Sequence, residues 1–170
     1  MYRNYPNRSS TGRWRSSHSF VMERPLVDFE KNFYYEHPAV TAWSDADVRS
    51  WRRDRRVSVR DQRTPKPVRS FMEAAFPDFL TECLEAANFE RPTVIQSQAW
   101  PMALSGYDVI GLASTGSGKT LAFTLPAIVH IMAQDYLAAG DGPIALMLAP
   151  TRELALQIKT ECDKFGASSG

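Results

Sequence analysis

Cysteine is nearly absent from this 170-residue chain, which has only Cys83 and Cys162. Neither sits in a CxxC or Cys/His cluster, so the pattern supplies neither a zinc site nor a disulfide framework, and it fits a reducing compartment. Histidine is scarce too. His18, His37 and His130 lie far apart, and their spacing points to no ligand set or catalytic base. No run of about 18 apolar residues occurs, and the first 22 residues carry arginines and serines where a signal peptide needs an apolar stretch. These absences argue against a spanning or secreted protein and leave no membrane partner. What remains, 44% hydrophobic, 23% charged and 11% aromatic, is the make-up of a globular chain with one core.

The net charge of +1 conceals a division. Residues 1–22 carry four arginines and no acid, residues 23–46 sum to −3, residues 47–69 set nine bases against three acids, and residues 70–170 sum to −6. An acidic body with a basic front suits a chain that follows a polyanion such as nucleic acid. Arginine runs are also common as plain solvated surface, so charge alone leaves both readings open.

Residues 1–22 show no apolar periodicity, and the whole stretch 1–27 reads as a disordered Arg/Ser-rich arm. Residues 28–69 form an upstream extension. Within it, Phe29, Phe33, Tyr34 and Tyr35 are too aromatic for a free linker and are expected to pack on the following domain. Ser44 and Asp47 form a capping-box pattern that opens a short helix through Trp51 to Arg56. Its arginines read as an RNA face or as solvated charge. Pro65 and Pro67 enforce extended backbone ahead of the main domain, residues 70–170.

In that domain Leu80, Cys83, Leu84 and Ala87 recur at helical spacing after Pro77. A second helix is predicted from Thr93 to Leu104, stopped by Gly106. Val109–Leu112 and Ile144–Ala149 read as buried strands of a parallel sheet. Each leads into a helix, one from Lys119 to Ala133 kinked at Pro126 and one from Glu153 to Phe165 capped by Gly166. The alternation of strand and helix predicts an α/β fold.

Between the first strand and its helix stands ASTGSGKT, residues 113–120, a phosphate-binding loop with Ala113 where many such loops have glycine. Gly116 and Gly118 let successive backbone N–H groups turn inward around a phosphate, and the helix start adds about half a positive charge. Lys119 reaches the outer phosphates, and the Thr120 hydroxyl suits a Mg²⁺ that bridges them. The plain alternative is a glycine turn into a helix, but two glycines, a lysine and a threonine in register make nucleotide binding the better reading. Upstream, residues 89–96 read FERPTVIQ. The Gln96 amide presents a donor and an acceptor side by side, which matches the N6 and N7 edge of adenine. Phe89 offers a stacking face and Thr93 a hydroxyl. Thr93 reads equally well as a helix cap and Gln96 as a first-turn residue.

Taken with PTRELALQ at residues 150–157, these segments resemble the DEAD-box ATP-dependent RNA helicases. DFEKNFYYEHPAV and KPVRSFMEAAFPDFL are similar to the nuclear subfamily that works in pre-mRNA processing, ribosome assembly and transcription. The resemblance covers residues 28–170. It implies the first part of a RecA-like parallel-sheet P-loop NTPase domain, incomplete and preceded by the basic arm. Phe71 and Phe89 then become the aromatics around adenine, and Arg91, Thr93 and Gln96 belong to the base-reading segment. Ala113, Ser114, Thr115, Gly116, Ser117, Gly118, Lys119 and Thr120 become the ATP site, with Mg²⁺ held through Thr120 and the nucleotide. Pro150, Thr151, Arg152 and Glu153 become an RNA-contacting turn, in which a helix start donates N–H groups to phosphates. Implied partners are ATP, RNA and ribonucleoprotein or transcription complexes, in the nucleus and also the cytoplasm. The family commonly has glycine where Asn88 stands, a mild change because asparagine tolerates left-handed backbone.

The family continues with a glycine pair, an Asp-Glu-Ala-Asp strand end, a Ser-Ala-Thr turn and a second domain, none of which is in this sequence. Asp45 and Asp47 precede the loop and cannot replace the missing acids, so no catalytic residue is assigned. An arginine finger alone is worth about 10³ to 10⁵ in rate. The chain is therefore expected to be a fragment of a longer helicase, inactive in hydrolysis, with open strand edges. The alternative is a non-catalytic truncated product that binds RNA or a partner. PTRELA disfavours an unrelated P-loop kinase or transporter ATPase.

Overall fold

The computed structural model describes residues 29–61 and 63–167. The expected arm, residues 1–27, lies outside them. Six α-helices follow in order: α1 Pro38–Thr41, α2 Asp45–Asp54, α3 Asp78–Ala86, α4 Val94–Leu104, α5 Lys119–Met132 and α6 Arg152–Gly166, with a 3-10 turn at Met72–Ala74.

Local chemistry sets the helix ends. Ser44 Oγ accepts from the Asp47 N–H at 3.1 Å and the Asp47 carboxylate accepts from the Ser44 N–H, so the capping box that opens α2 is complete. Three helices close with a left-handed residue and paired reverse hydrogen bonds. Arg56 (φ 55°) ends α2, Asn88 (φ 59°) ends α3 and Gly106 (φ 76°) ends α4. At Asn88 the bonds run from Asn88 N to Glu85 O and from Phe89 N to Leu84 O, at 2.8 and 3.1 Å. Asparagine thus performs the turn that glycine performs elsewhere. Gly166 does not act as the cap expected of it; it is the last residue of α6, and Ala167 follows in right-handed conformation.

The core forms where α4 packs against α5 and α5 against α6. Trp100 is fully buried, with Phe76 edge-on at 4.9 Å and Phe71 at 6.1 Å. Leu80 and Leu84 of α3, Leu121, Leu125 and Ile128 of α5 and Phe165 of α6 complete it. The Trp100 indole N–H donates to the Leu121 carbonyl at 3.0 Å, so burying this ring leaves no donor unpaired.

The upstream extension is part of this body. Phe33 N donates to Leu104 O at 2.7 Å, the Phe33 ring stands edge-on to His130 at 4.8 Å, and Tyr34 packs against the core. Phe29 and Tyr35 remain exposed. Arg52 donates to the buried Gln98 side chain and to Pro65 O, each at 2.9 Å. Lys66 donates to the Thr41 and Trp43 carbonyls at the end of α1. Arg69 holds the buried Glu73 carboxylate at 2.8 Å and lies over the Trp43 ring at 4.3 Å. Arg52 and Lys66 are half-buried and Arg69 is exposed, and all three are tied to the body by these bonds rather than left as unbonded surface charge.

The two expected strands take a different form. Residues 109–112 and 144–149 run without helix, yet no ladder joins them to each other or to any described segment. Ile110, Leu112 and Leu148 are 92%, 91% and 85% exposed, so these segments are not buried. The physical reason is that a strand is a property of two segments: apolar alternation selects extended backbone, but hydrogen bonds and burial require a neighbour alongside.

Trp100→Ala is expected to cost about 3–5 kcal/mol, seen as a lowered urea midpoint in far-UV circular dichroism.

Candidate functional site

The site is built where two helices begin. Thr93 caps α4: its hydroxyl accepts from Gln96 N at 3.5 Å, and Gln96 Oε1 accepts from Thr93 N at 2.9 Å. This reciprocal box fixes the amide, which is 3% exposed. Gln96 Nε2 then donates to Gly118 O at 3.1 Å. The 89–96 segment is thereby hydrogen-bonded to the glycine-rich loop, although 22 residues separate the bonded pair. Gln96 is at once a first-turn capping residue, as one of its two sequence readings has it, and a contact of the loop.

Across the loop, Ala113 to Gly116 are exposed and Ser117 to Thr120 half-buried. Gly116 and Gly118 have φ of 75° and 88°, a region that L side chains resist. They are under different constraints. A Cβ on Gly116 would meet nothing within 4 Å, whereas one on Gly118 would lie 2.6 Å from Gln96 Nε2 and 3.0 Å from Thr93 Oγ1. Lys119 Nζ donates to the carbonyls of Ala113 and Ser114 at 2.7 and 2.6 Å, holding the ammonium over the loop. Ser117 Oγ is buried with no hydrogen-bond partner. Gly118 is the N-cap of α5, so the positive end of that helix dipole opens at the loop.

The remaining expected residues are dispersed. Phe89 is 38% exposed and has Lys164 Nζ over its ring at 5.9 Å, and Arg91 is exposed. Phe71, 7% exposed, lies beside Trp100 and borders a groove with His37, Phe76 and α3 residues. Through Trp100, whose indole bonds the first turn of α5, it is linked to the helix that follows the loop. At the second place, Thr151 Oγ1 caps α6 by accepting from Leu154 N at 3.3 Å. Pro150, Thr151, Arg152 and Glu153 are all exposed, and the first N–H groups of the helix face outward without intrahelical acceptors. Sequence reasoning missed Trp100 and Lys164 because both bonds span distant parts of the chain. Among the described residues no group of three or more His, Cys, Asp or Glu could hold a metal, and no helix is long and apolar enough to cross a membrane.

Comparison with known proteins agrees with this geometry. Residues 93–170 match the DEAD/DEAH box helicase family model. The chain is 58% identical over 144 residues to DEAD-box ATP-dependent RNA helicase 20 of Arabidopsis thaliana, covering 85% of this chain and 29% of that protein. It is 59% identical to ATP-dependent RNA helicase dbp2 of Aspergillus clavatus, covering 85% of this chain and 26% of the relative. The chain thus spans just over a quarter of the length of these curated relatives. Among solved structures, the RNA helicase Prp28 of Chaetomium thermophilum bound to ADP superposes with a TM-score of 0.69 at 37% identity, over 79% of this chain and 33% of that one. Yeast Prp28, a DEAD-box splicing factor, superposes with a TM-score of 0.67 at 31% identity, over 76% and 32%. The fold is therefore that of part of a RecA-like helicase domain.

Gly118→Ala is expected to lower stability more than Gly116→Ala. Both strain the backbone by about 1–2 kcal/mol, but only the first drives a methyl group into Gln96 and Thr93. Urea denaturation of the two variants measures the difference, and equal midpoints would contradict the close packing at Gly118.

Proposed function

We propose that this chain, which matches the DEAD/DEAH box helicase family model over residues 93–170 and is 58–59% identical to ATP-dependent RNA helicases over 144 residues, supplies the adenine-nucleotide site and the first RNA-contacting turn of such an enzyme. The whole protein then separates or remodels RNA duplexes by ATP-gated closure of two domains. The observation that carries this reading is the Gln96 amide, fixed by Thr93 and bonded to Gly118. Those bonds use one lone pair of Oε1 and one hydrogen of Nε2, so a second of each matches the N6 and N7 edge of adenine in type, reached once the residues covering the buried amide move aside. Phe89 adds a partly exposed ring for stacking.

The phosphates lie in the loop. Gly116 and Gly118 turn N–H groups toward them, and Lys119 exchanges its bonds to Ala113 and Ser114 for phosphate oxygens, a charge-assisted contact stronger than one to a neutral carbonyl. The residues fit Mg²⁺ as well. Ser117 Oγ has no partner, and Thr120 places a hydroxyl in the first turn of α5, which suits a hard cation. Bound there through Thr120, the ion would neutralise charge on the outer phosphate oxygens. At α6, the outward N–H groups beside Pro150, Thr151, Arg152 and Glu153 support contact with RNA backbone phosphates. Asp45 and Asp47 serve the start of α2, so this chain by itself binds ATP without hydrolysing it. Residence in the nucleus and cytoplasm, within ribonucleoprotein or transcription complexes, follows from the likeness of the upstream segment.

Binding of a fluorescent adenine nucleotide with Mg²⁺ tests the reading, with circular dichroism verifying the fold of each variant. Saturable binding is expected, lost in Gln96→Ala and in Lys119→Ala and displaced by ATP but not by GTP. A folded chain that binds no nucleotide would refute it, and equal displacement by GTP would favour a different P-loop class.

A further inference from the structure

Pro101 stands inside α4 and has no N–H, so the Ser97 carbonyl four residues earlier lacks its helical donor. The upstream extension supplies one. Val68 N donates to Ser97 O at 2.9 Å, and both residues are buried. One residue further on, the Gln98 side chain is 6% exposed, with Oε1 accepting from Arg52 Nε and Nε2 donating to Pro65 O, each at 2.9 Å. Arg52 Nη2 donates to the same Pro65 carbonyl at 2.9 Å. A closed triangle of guanidinium, amide and carbonyl thus ties α2 and the segment 65–68 to the start of α4.

Three consecutive residues of α4 therefore bond three different segments. Gln96 Nε2 bonds Gly118 O, Ser97 O bonds Val68 N, and the Gln98 amide bonds Arg52 and Pro65. Without Arg52, Oε1 of a buried amide loses its donor, and the side chain must turn or draw in water to recover one. Either change disturbs the residue two places after Gln96. Lys66 and Arg69 provide a contrast, because Lys66 bonds the Thr41 and Trp43 carbonyls and Arg69 bonds Ala39 O and Glu73, all outside α4. Those bonds fasten the extension and not the helix that carries Gln96.

We propose that Arg52 is a positioning residue of the adenine-nucleotide site, setting the place of the Gln96 amide through Gln98 and the start of α4. An amide that reads adenine by paired hydrogen bonds needs both aligned at once. A misplacement of about 1 Å is enough to lose much of such a contact. Arginine suits the task because its planar fork reaches two acceptors at a fixed spacing. The inference rests on the adenine-nucleotide reading above and adds to it a residue that acts through the helix rather than on the base. It also gives the upstream extension a part in nucleotide recognition.

The test uses the full chain and a fluorescent adenine nucleotide with Mg²⁺, displaced in turn by ATP and by inorganic triphosphate, which engages the glycine-rich loop without a base. Arg52→Ala is expected to weaken ATP at least about fivefold, to leave triphosphate unchanged, and to speed amide hydrogen exchange over residues 93–98. Arg52→Lys keeps the stem and the charge, so it retains the fold, yet one ammonium does not span both Gln98 and Pro65, and the same selective loss is expected. Lys66→Ala loosens the extension elsewhere and is expected to lower the urea midpoint while ATP binding holds. If both Arg52 variants bind ATP as the unaltered chain does, or exchange over 93–98 does not change, the positioning role is refuted and the nucleotide reading stands. The role is likewise refuted if ATP and triphosphate weaken together and Lys66→Ala does the same, because the cause is then general loosening. If the unaltered chain binds no adenine nucleotide, the reading and the inference fall together.

Discussion

The hydrogen bond from Gln96 Nε2 to the Gly118 carbonyl joins the beginning of α4 to the beginning of α5. Much of the described structure depends on it and on its companion from the Trp100 indole to Leu121. Together they place two helix starts side by side with buried side chains bonded into both. A bond of this kind contributes only about 1 kcal/mol net, but leaving its buried donor unpaired costs about 1–3 kcal/mol. The pair therefore acts as a registration device more than as a source of stability. It also explains why position 118 is glycine: the Gln96 amide occupies the volume that a side chain would need.

Around this joint the protein uses its cations in two ways. Buried amides and carbonyls of the main domain are satisfied by long side chains from the upstream extension, as Arg52 does for Gln98 and Pro65. Burial lowers the affinity of that guanidinium for its proton, yet its ordinary pKa is so high that it stays charged at any physiological pH. The extension is therefore fastened by directional, charge-assisted bonds and by Phe33 and Tyr34 at the core edge. Charges that are not needed for this fastening remain on the outer surface of α2 and its C-terminal turn. A single basic stretch thus contains both structural and solvent-facing arginines, a division that its composition does not reveal.

Apart from the four-residue α1, which no sequence signal marked, helix positions were legible to within a residue or two because each end has a local cause. Ser44 and Thr93 cap, Gly106 terminates, and the apolar spacing of Leu80, Leu84 and Phe165 selects the buried faces. The turns of the glycine-rich loop were legible for the same reason, since Gly116 and Gly118 set them through local backbone conformation. Residues whose role depends on a distant neighbour were read less well. The contact of Phe71 with Trp100 is not encoded in its local sequence, and Gly166, expected to cap, remains helical. Apolar alternation marked residues 109–112 and 144–149 as strands, but among the described residues these segments have no ladder partner and expose Ile110 and Leu148.

By itself the sequence determined the five longer helices, most of their caps, the glycine-rich loop and the family resemblance, because all of these are encoded in contiguous residues whose chemistry is local. Tertiary structure alone decided which arginines bond to the main domain, which guanidinium covers Trp43, and that Gln96 touches Gly118. Those outcomes depend on contacts between parts of the chain tens of residues apart, and the geometry of such contacts exists only once the helices have packed.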